Sequence, residues 1–150
     1  MDLIQFQQNL IDIDVWELLK PILDKRLENV EKMNREQLSE GKMSDGKSTP
    51  SHSGGAMSEI YVDSKIERGV YNQSLYPAMN LYNTGDFYRG IRAYIEDSGI
   101  TIESNDEKGL ELETKYSSRI YGLTPENLTK LTKLCVDELV KSIHTAMFKN

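Results

Sequence analysis

The one literal match to a chemical motif is Gly41-Lys42-Met43-Ser44-Asp45-Gly46-Lys47-Ser48, which satisfies the G-x-x-x-x-G-K-[ST] pattern of a phosphate-binding loop. In such a loop the glycines let backbone amides close around phosphate, the lysine reaches the terminal phosphates, and the Ser/Thr hydroxyl holds magnesium. The chemistry depends on its setting: a buried strand must lead in, and a helix must begin at the Lys-Ser end so that its dipole points at the anion. Here an amphipathic, helix-like segment leads in, and Pro50 follows, removing a backbone donor and biasing Thr49 away from helix. No apolar run ending in Asp lies downstream to hold magnesium. The segment therefore reads as a glycine-rich turn.

The remaining reactive side chains are sparse. His52 and His144 are the only histidines and Cys135 the only cysteine, too few for a structural zinc site of four ligands. Cys135 falls on the apolar face of a helical pattern, where it acts as a small hydrophobe. Glu103, Asp106, Glu107, Glu111 and Glu113 lack the Asp/Asn alternation and the glycine of a calcium loop and read as a solvated face. The expectation is a chain with no catalytic, cofactor-binding or metal residue, and not an enzyme.

Charge points the same way. The net charge is −6 and the basic residues form no block, whereas nucleic-acid binding draws most of its affinity from a basic surface that neutralises phosphates. No specific nucleic-acid binding is expected. Nothing approaches the ~20 apolar residues of a membrane span, the N-terminus MDLIQFQQNL has an acid where a signal peptide is basic, and one cysteine allows no internal disulfide. A soluble protein made in a reducing cytoplasm fits, and there the sequons at Asn72 and Asn127 carry no meaning.

The elements follow from periodicity. The first ten residues allow a short amphipathic helix, with Leu3, Ile4, Phe6 and Leu10 apolar. Asp14 is a candidate N-cap, and Leu19, Ile22, Leu23, Leu27, Val30, Met33 and Leu38 then recur at helical spacing. They predict one long N-terminal helix of about twenty residues, starting near Leu18 or kinked at Pro21 and stopped at Gly41. A long Gly/Ser-rich loop covers about 41–58. A short helix over 58–68 would turn Ile60, Tyr61 and Ile66 inward, and an irregular tyrosine-rich stretch would lead to a helical turn at Asp86–Ile91. Arg92–Glu96 and Ile100–Glu103 flank Asp97-Ser98-Gly99 as a β-hairpin. Residues 105–118 leave strand and helical turn open. Thr124 and Pro125 then open a C-terminal helix with Leu128, Leu131, Cys135, Leu139, Ile143 and Met147 on one face and Leu123 stapled to Leu128. The fold class is α+β, a single domain over 1–150, with the two long helices packed on a small antiparallel hairpin.

Leu81-Tyr82-Asn83-Thr84-Gly85-Asp86-Phe87-Tyr88-Arg89-Gly90-Ile91 resembles a pattern of tailed-bacteriophage neck and tail-completion (head–tail joining) proteins: a leucine before Thr-Gly, then alternating apolar and polar residues leading into a hairpin. Gly99–Ser104 fits the next strand of that pattern, and Lys115–Gly122 the segment after it. The resemblance covers roughly residues 34–131, and the whole chain is similar to small proteins from structural-gene regions of phages and prophages of gut bacteria. Asp86 and Gly90 depart from the pattern, which often carries apolar and Ser residues there.

The resemblance implies a structural virion protein located in the neck or tail. It implies a homo-oligomeric ring that joins portal or adaptor proteins to the tail, through heterologous contacts that close by rotation. A phage assembly chaperone absent from the particle is the alternative. Polar-tipped aromatics suit interfaces, and Tyr61, Tyr71, Tyr76, Tyr82, Tyr88 and Tyr94 crowd the middle of the chain. The expected protein interface is Met43, Asp45, Lys47, Ser51, His52 and Met57 in the loop, with Tyr94, Ile95, Ile100 and Ile102 in the hairpin.

Overall fold

A computed structural model describes residues 3–50 and 59–149. The fold is α+β: helices α1 (Leu3–Ile11), α2 (Val15–Asp24), α3 (Leu27–Ser39), α4 (Glu59–Glu67) and α5 (Asp86–Gly90) precede strands β1 (Ile91–Glu96) and β2 (Gly99–Ser104). Helices α6 (Gly109–Tyr116) and α7 (Pro125–Met147) follow. The strands form a two-stranded antiparallel sheet in which Glu96 faces Gly99 and Ile91 faces Ser104. No described helix is long and apolar enough to cross a membrane.

The expected single N-terminal helix is two helices. Asp14 caps the first, its carboxylate accepting from the N–H groups of Trp16 and Glu17, so the helix starts at Val15 and carries Pro21 inside it. The break falls at Lys25-Arg26. There the Arg26 N–H closes a tight turn onto the Leu23 carbonyl, while the Arg26 guanidinium reaches Glu138 of α7 at 2.5 Å. The turn lets α2 bury Ile22 and Leu23 against α7 while α3 buries Val30 against β1, two directions one straight helix cannot face.

Two apolar clusters meet at Ile102. One gathers Ile22, Leu23, Val30, Ala93, Leu123, Leu131 and Cys135 between α2, α3, the hairpin and α7. The other gathers Leu38, Val62, Tyr71, Met79, Leu81, Phe87, Tyr88, Ile91, Tyr116 and Ile120 under α4 to α6. Buried amides of α3 hold the approach to α7. Gln37 donates to the Gly122 carbonyl and accepts from the Thr124 and Asn127 N–H donors, and Asn34 donates to the Ile120 and Gly122 carbonyls.

Helix α7 opens as expected, with Thr124 accepting from the Asn127 N–H and Pro125 first in the helix. Its expected inner face is only partly inside. Leu131 and Cys135 are buried, but Leu128 is 51% exposed. In α4 Ile66 packs against the core as expected, but the buried residues are Val62 and Lys65, while Tyr61 is 39% exposed; the side chain of Ile60 lies outside the described residues. Within 105–118, where the sequence allows a strand or a helical turn, Gly109–Tyr116 is helical, with Leu112 and Tyr116 one turn apart and facing the core.

Candidate interaction surface

The hairpin is the best-defined part of the expected interface. Two hydrogen bonds fix which backbone groups face out. The Ala93 N–H leaves the ladder and donates to Glu31 Oε1 of α3 at 3.2 Å, and beyond the last pair the Asn105 N–H donates to the Gly90 carbonyl. In an antiparallel ladder directly opposed pairs alternate. Arg92–Glu103, Tyr94–Thr101 and Glu96–Gly99 are therefore the bonded pairs, and Ala93 and Ile95 point their backbone groups off β1, Ile100 and Ile102 off β2.

The two edges differ. Helix α3 lies along β1, and the Glu31 carboxylate covers the Ala93 N–H, with Arg35 and Arg92 beside it at 3.7 and 4.0 Å. The outer edge of β2 is open at Ile100 and Ile102: among the described residues neither backbone takes a hydrogen bond beyond the ladder. The side chains of Ile95, Ile100 and Ile102 lie on the covered face, half-buried against the α2–α7 cluster. Tyr94 lies on the opposite, exposed face.

The loop behaves differently from expectation. Residues 41–49 form a tight turn, closed by a bridge between Lys42 and Ser48, and pack on the chain itself. Met43 and Thr49 are buried, so Met43 is a core residue, drawn in as its turn docks on the segment before α7: the Ser44 N–H donates to the Arg119 carbonyl and the Arg119 guanidinium meets Asp45 at 2.8 Å. The N–H of Lys47 and then Arg119 hold the Asp45 carboxyl below its usual range. Lys47 is exposed. Ser51, His52 and Met57 lie outside the described residues.

This geometry is not a phosphate cradle. A helix precedes the turn, and the amides of Lys42, Met43, Ser44, Gly46, Lys47 and Thr49 are all bonded within the chain. Gly41 has φ +66°, and a Cβ there would stand 3.0 Å from that of Ala78, so glycine is needed for the turn itself.

A second exposed surface, not foreseen from the sequence, lies at the chain ends. Helix α1 buries none of its residues. Leu3, Ile4, Leu10 and Ile11 are exposed, as are Val15, Leu134, Val136, Val140 and Phe148 nearby or on α7. Helix α1 is tied to α7 by the Phe6–Phe148 ring contact at 5.7 Å and by Asn9, which donates to the Met147 and Lys149 carbonyls. In the sequence this surface shows only as a short apolar pattern.

The strongest buried polar group is also unexpected. Lys65 is 1% exposed, its ammonium donating to Asn80 Oδ1 at 2.7 Å and lying within 6 Å of the Tyr61 and Tyr71 rings at 5.6 and 5.5 Å. Burial, then the charge of Arg68, pushes its pKa down to about 8. Asn80 ties the surroundings together: its Nδ2 donates to the Val70 carbonyl, its Oδ1 accepts from the Tyr82 N–H, and its carbonyl accepts from the Tyr88 hydroxyl. These bonds fix the irregular 70–83 stretch, and burial raises the Tyr88 pKa. No group of three or more His, Cys, Asp and Glu able to hold a metal occurs among the described residues.

The chain matches no protein-family model, and neither curated proteins nor solved structures include a significant match to it.

Proposed function

We propose that this protein is a structural subunit of a tailed-phage particle, a neck or tail-completion ring subunit that joins portal or adaptor proteins to the tail. The observation that carries the reading is a fold with two unfinished surfaces. Its two-stranded sheet has an open edge at Ile100 and Ile102, and its first helix buries no residue. A lone hairpin and a nine-residue helix are each marginal in water, so both surfaces fit a protein whose neighbours complete it. The resemblance of residues 81–91 adds the kind of assembly. Gly85 sits at φ +89° as the cap of α5, and α5 runs directly into β1, so the Thr-Gly turn aims the hairpin. An acidic ring subunit also lines a DNA passage without gripping phosphate.

On this reading the chain is made in the host cytoplasm and ends in the virion. Mass spectrometry of purified particles, with copy number, tests it. A stoichiometric count matching a symmetric ring is expected. Presence in infected cells with absence from particles overturns it in favour of an assembly chaperone.

A further inference from the structure

The open edge of β2 is complementary to itself. The stretch whose backbone faces off the sheet reads Ile100-Thr101-Ile102, the same in both directions about Thr101. We infer that two copies of this chain pair β2 to β2 antiparallel, about a two-fold axis beside Thr101. Ile100 then faces Ile102 of the second copy, and these are the residues whose N–H and C=O groups point off the sheet, so four backbone hydrogen bonds close.

The side chains agree with this register. The two Ile100–Ile102 pairs stand on the covered face, extending the apolar layer of Ala93 and Ile95 across the axis. Thr101 meets Thr101 on the exposed face, a favourable cross-strand pair. Glu103 falls opposite Gly99, so no like charges oppose. Shifting the axis to Ile102 brings in Ser104, whose carbonyl would lie 3.1 Å from a Cβ on Gly109 of α6; that end of the edge is already covered. The covered β1 edge offers no alternative strand.

Four backbone bonds and one isoleucine layer fall well short of the roughly 1,600 Å² of a standard stable interface. The pair is therefore weak, formed at high protein concentration and broken by dilution. The pairing stands apart from the phage reading. Resting on that reading, the pair belongs to the free subunit, because a polar ring has no such two-fold, and it covers the edge until assembly.

Cysteine crosslinking of the purified full chain tests it directly. Cys135 is buried and the only native thiol, so Thr101→Cys adds one accessible thiol. In a non-hydrogen-bonded antiparallel pair the two Cβ atoms stand about 4.5–5.5 Å apart, near disulfide reach. Glu96→Cys is the control: it lies on the same exposed face but on β1, three strand spacings across and four residues along from its counterpart, roughly 20 Å away. Expected is a disulfide-linked dimer forming several-fold faster in Thr101→Cys than in Glu96→Cys, with amide exchange at Ile100 and Ile102 slowing as wild-type concentration rises. Equal crosslinking of the two variants, or exchange at Ile100 and Ile102 independent of concentration, overturns the pairing. Neither result bears on incorporation into particles, which tests the phage reading separately.

Discussion

Lys65 carries the sharpest single-residue consequence. Its folded pKa of about 8 lies below its ordinary 10.5, so between those values the unfolded chain holds a proton that the folded chain lacks. Stability then rises with pH across that window, and the penalty for the buried charge is in full force below it. The raised pKa values of Tyr71, Tyr88, Tyr116 and Tyr121 act in the opposite sense, removing stability as pH climbs past the tyrosine range near 10, and the thiol of Cys135, pushed up from 9.0 by burial, opposes the lysine between pH 8 and 9.5, so the lysine is read as the difference between wild type and Lys65→Met. The urea midpoint of wild type is expected to gain on that of Lys65→Met as pH rises over that interval. At pH 7 Lys65→Met is expected to be neutral or stabilising by about 1 kcal/mol, since an apolar side chain of similar volume fills the site without a charge. Asn80→Ala strands the ammonium and the Val70 carbonyl together and is expected to cost about 1–3 kcal/mol or more. A difference between wild type and Lys65→Met that does not change with pH would place the charge in water instead.

At the scale of elements, Glu31 decides the state of one sheet edge. Glu31→Ala leaves the part-buried Ala93 N–H without its acceptor and is expected to cost about 1–3 kcal/mol, with faster amide exchange at Ala93. Glu31→Gln keeps an acceptor oxygen and is expected to recover most of that loss, which separates hydrogen bonding from the charges of Arg35 and Arg92. The start of α7 depends on a different device. Thr124→Ala removes the side-chain acceptor for the Asn127 N–H and is expected to lower stability by about 1 kcal/mol in chemical denaturation, within the usual range for a lost cap. Thr124→Ser, which keeps the oxygen, is expected to retain most of the cap.

For the whole molecule, the terminal helices and the core make separable predictions. Deleting residues 1–11 removes no buried residue of α1, so the loss of stability is expected to stay under about 1 kcal/mol, in line with surface changes elsewhere. If the ends of the chain are where a neighbour docks, the same deletion abolishes incorporation into particles. A deletion that unfolds the protein would show that α1 supports the core; a deletion that leaves incorporation intact would move the docking surface elsewhere. The division between two clusters meeting at Ile102 also means that the hairpin links both halves of the core, so disturbing β2 is felt in each.

Local chemistry was legible in the sequence wherever one residue type does one local job. Asp14 and Thr124 cap helices, Pro125 opens one, Gly85 precedes α5, and Asp97-Ser98 turns the hairpin, because caps and turns are set by neighbours within a few residues. The α+β class followed from those elements. Tertiary structure alone decided which apolar faces were covered. It broke the N-terminal helix at Lys25-Arg26, where α7 supplies Glu138, and drew Met43 into the core against the segment before α7. It left Leu128 and all of α1 outside, and it buried Lys65 on the face where Tyr61 was expected. It also settled that one strand edge is covered by Glu31 and the other open, since periodicity gives a strand its two faces but says nothing about what lies along its edges.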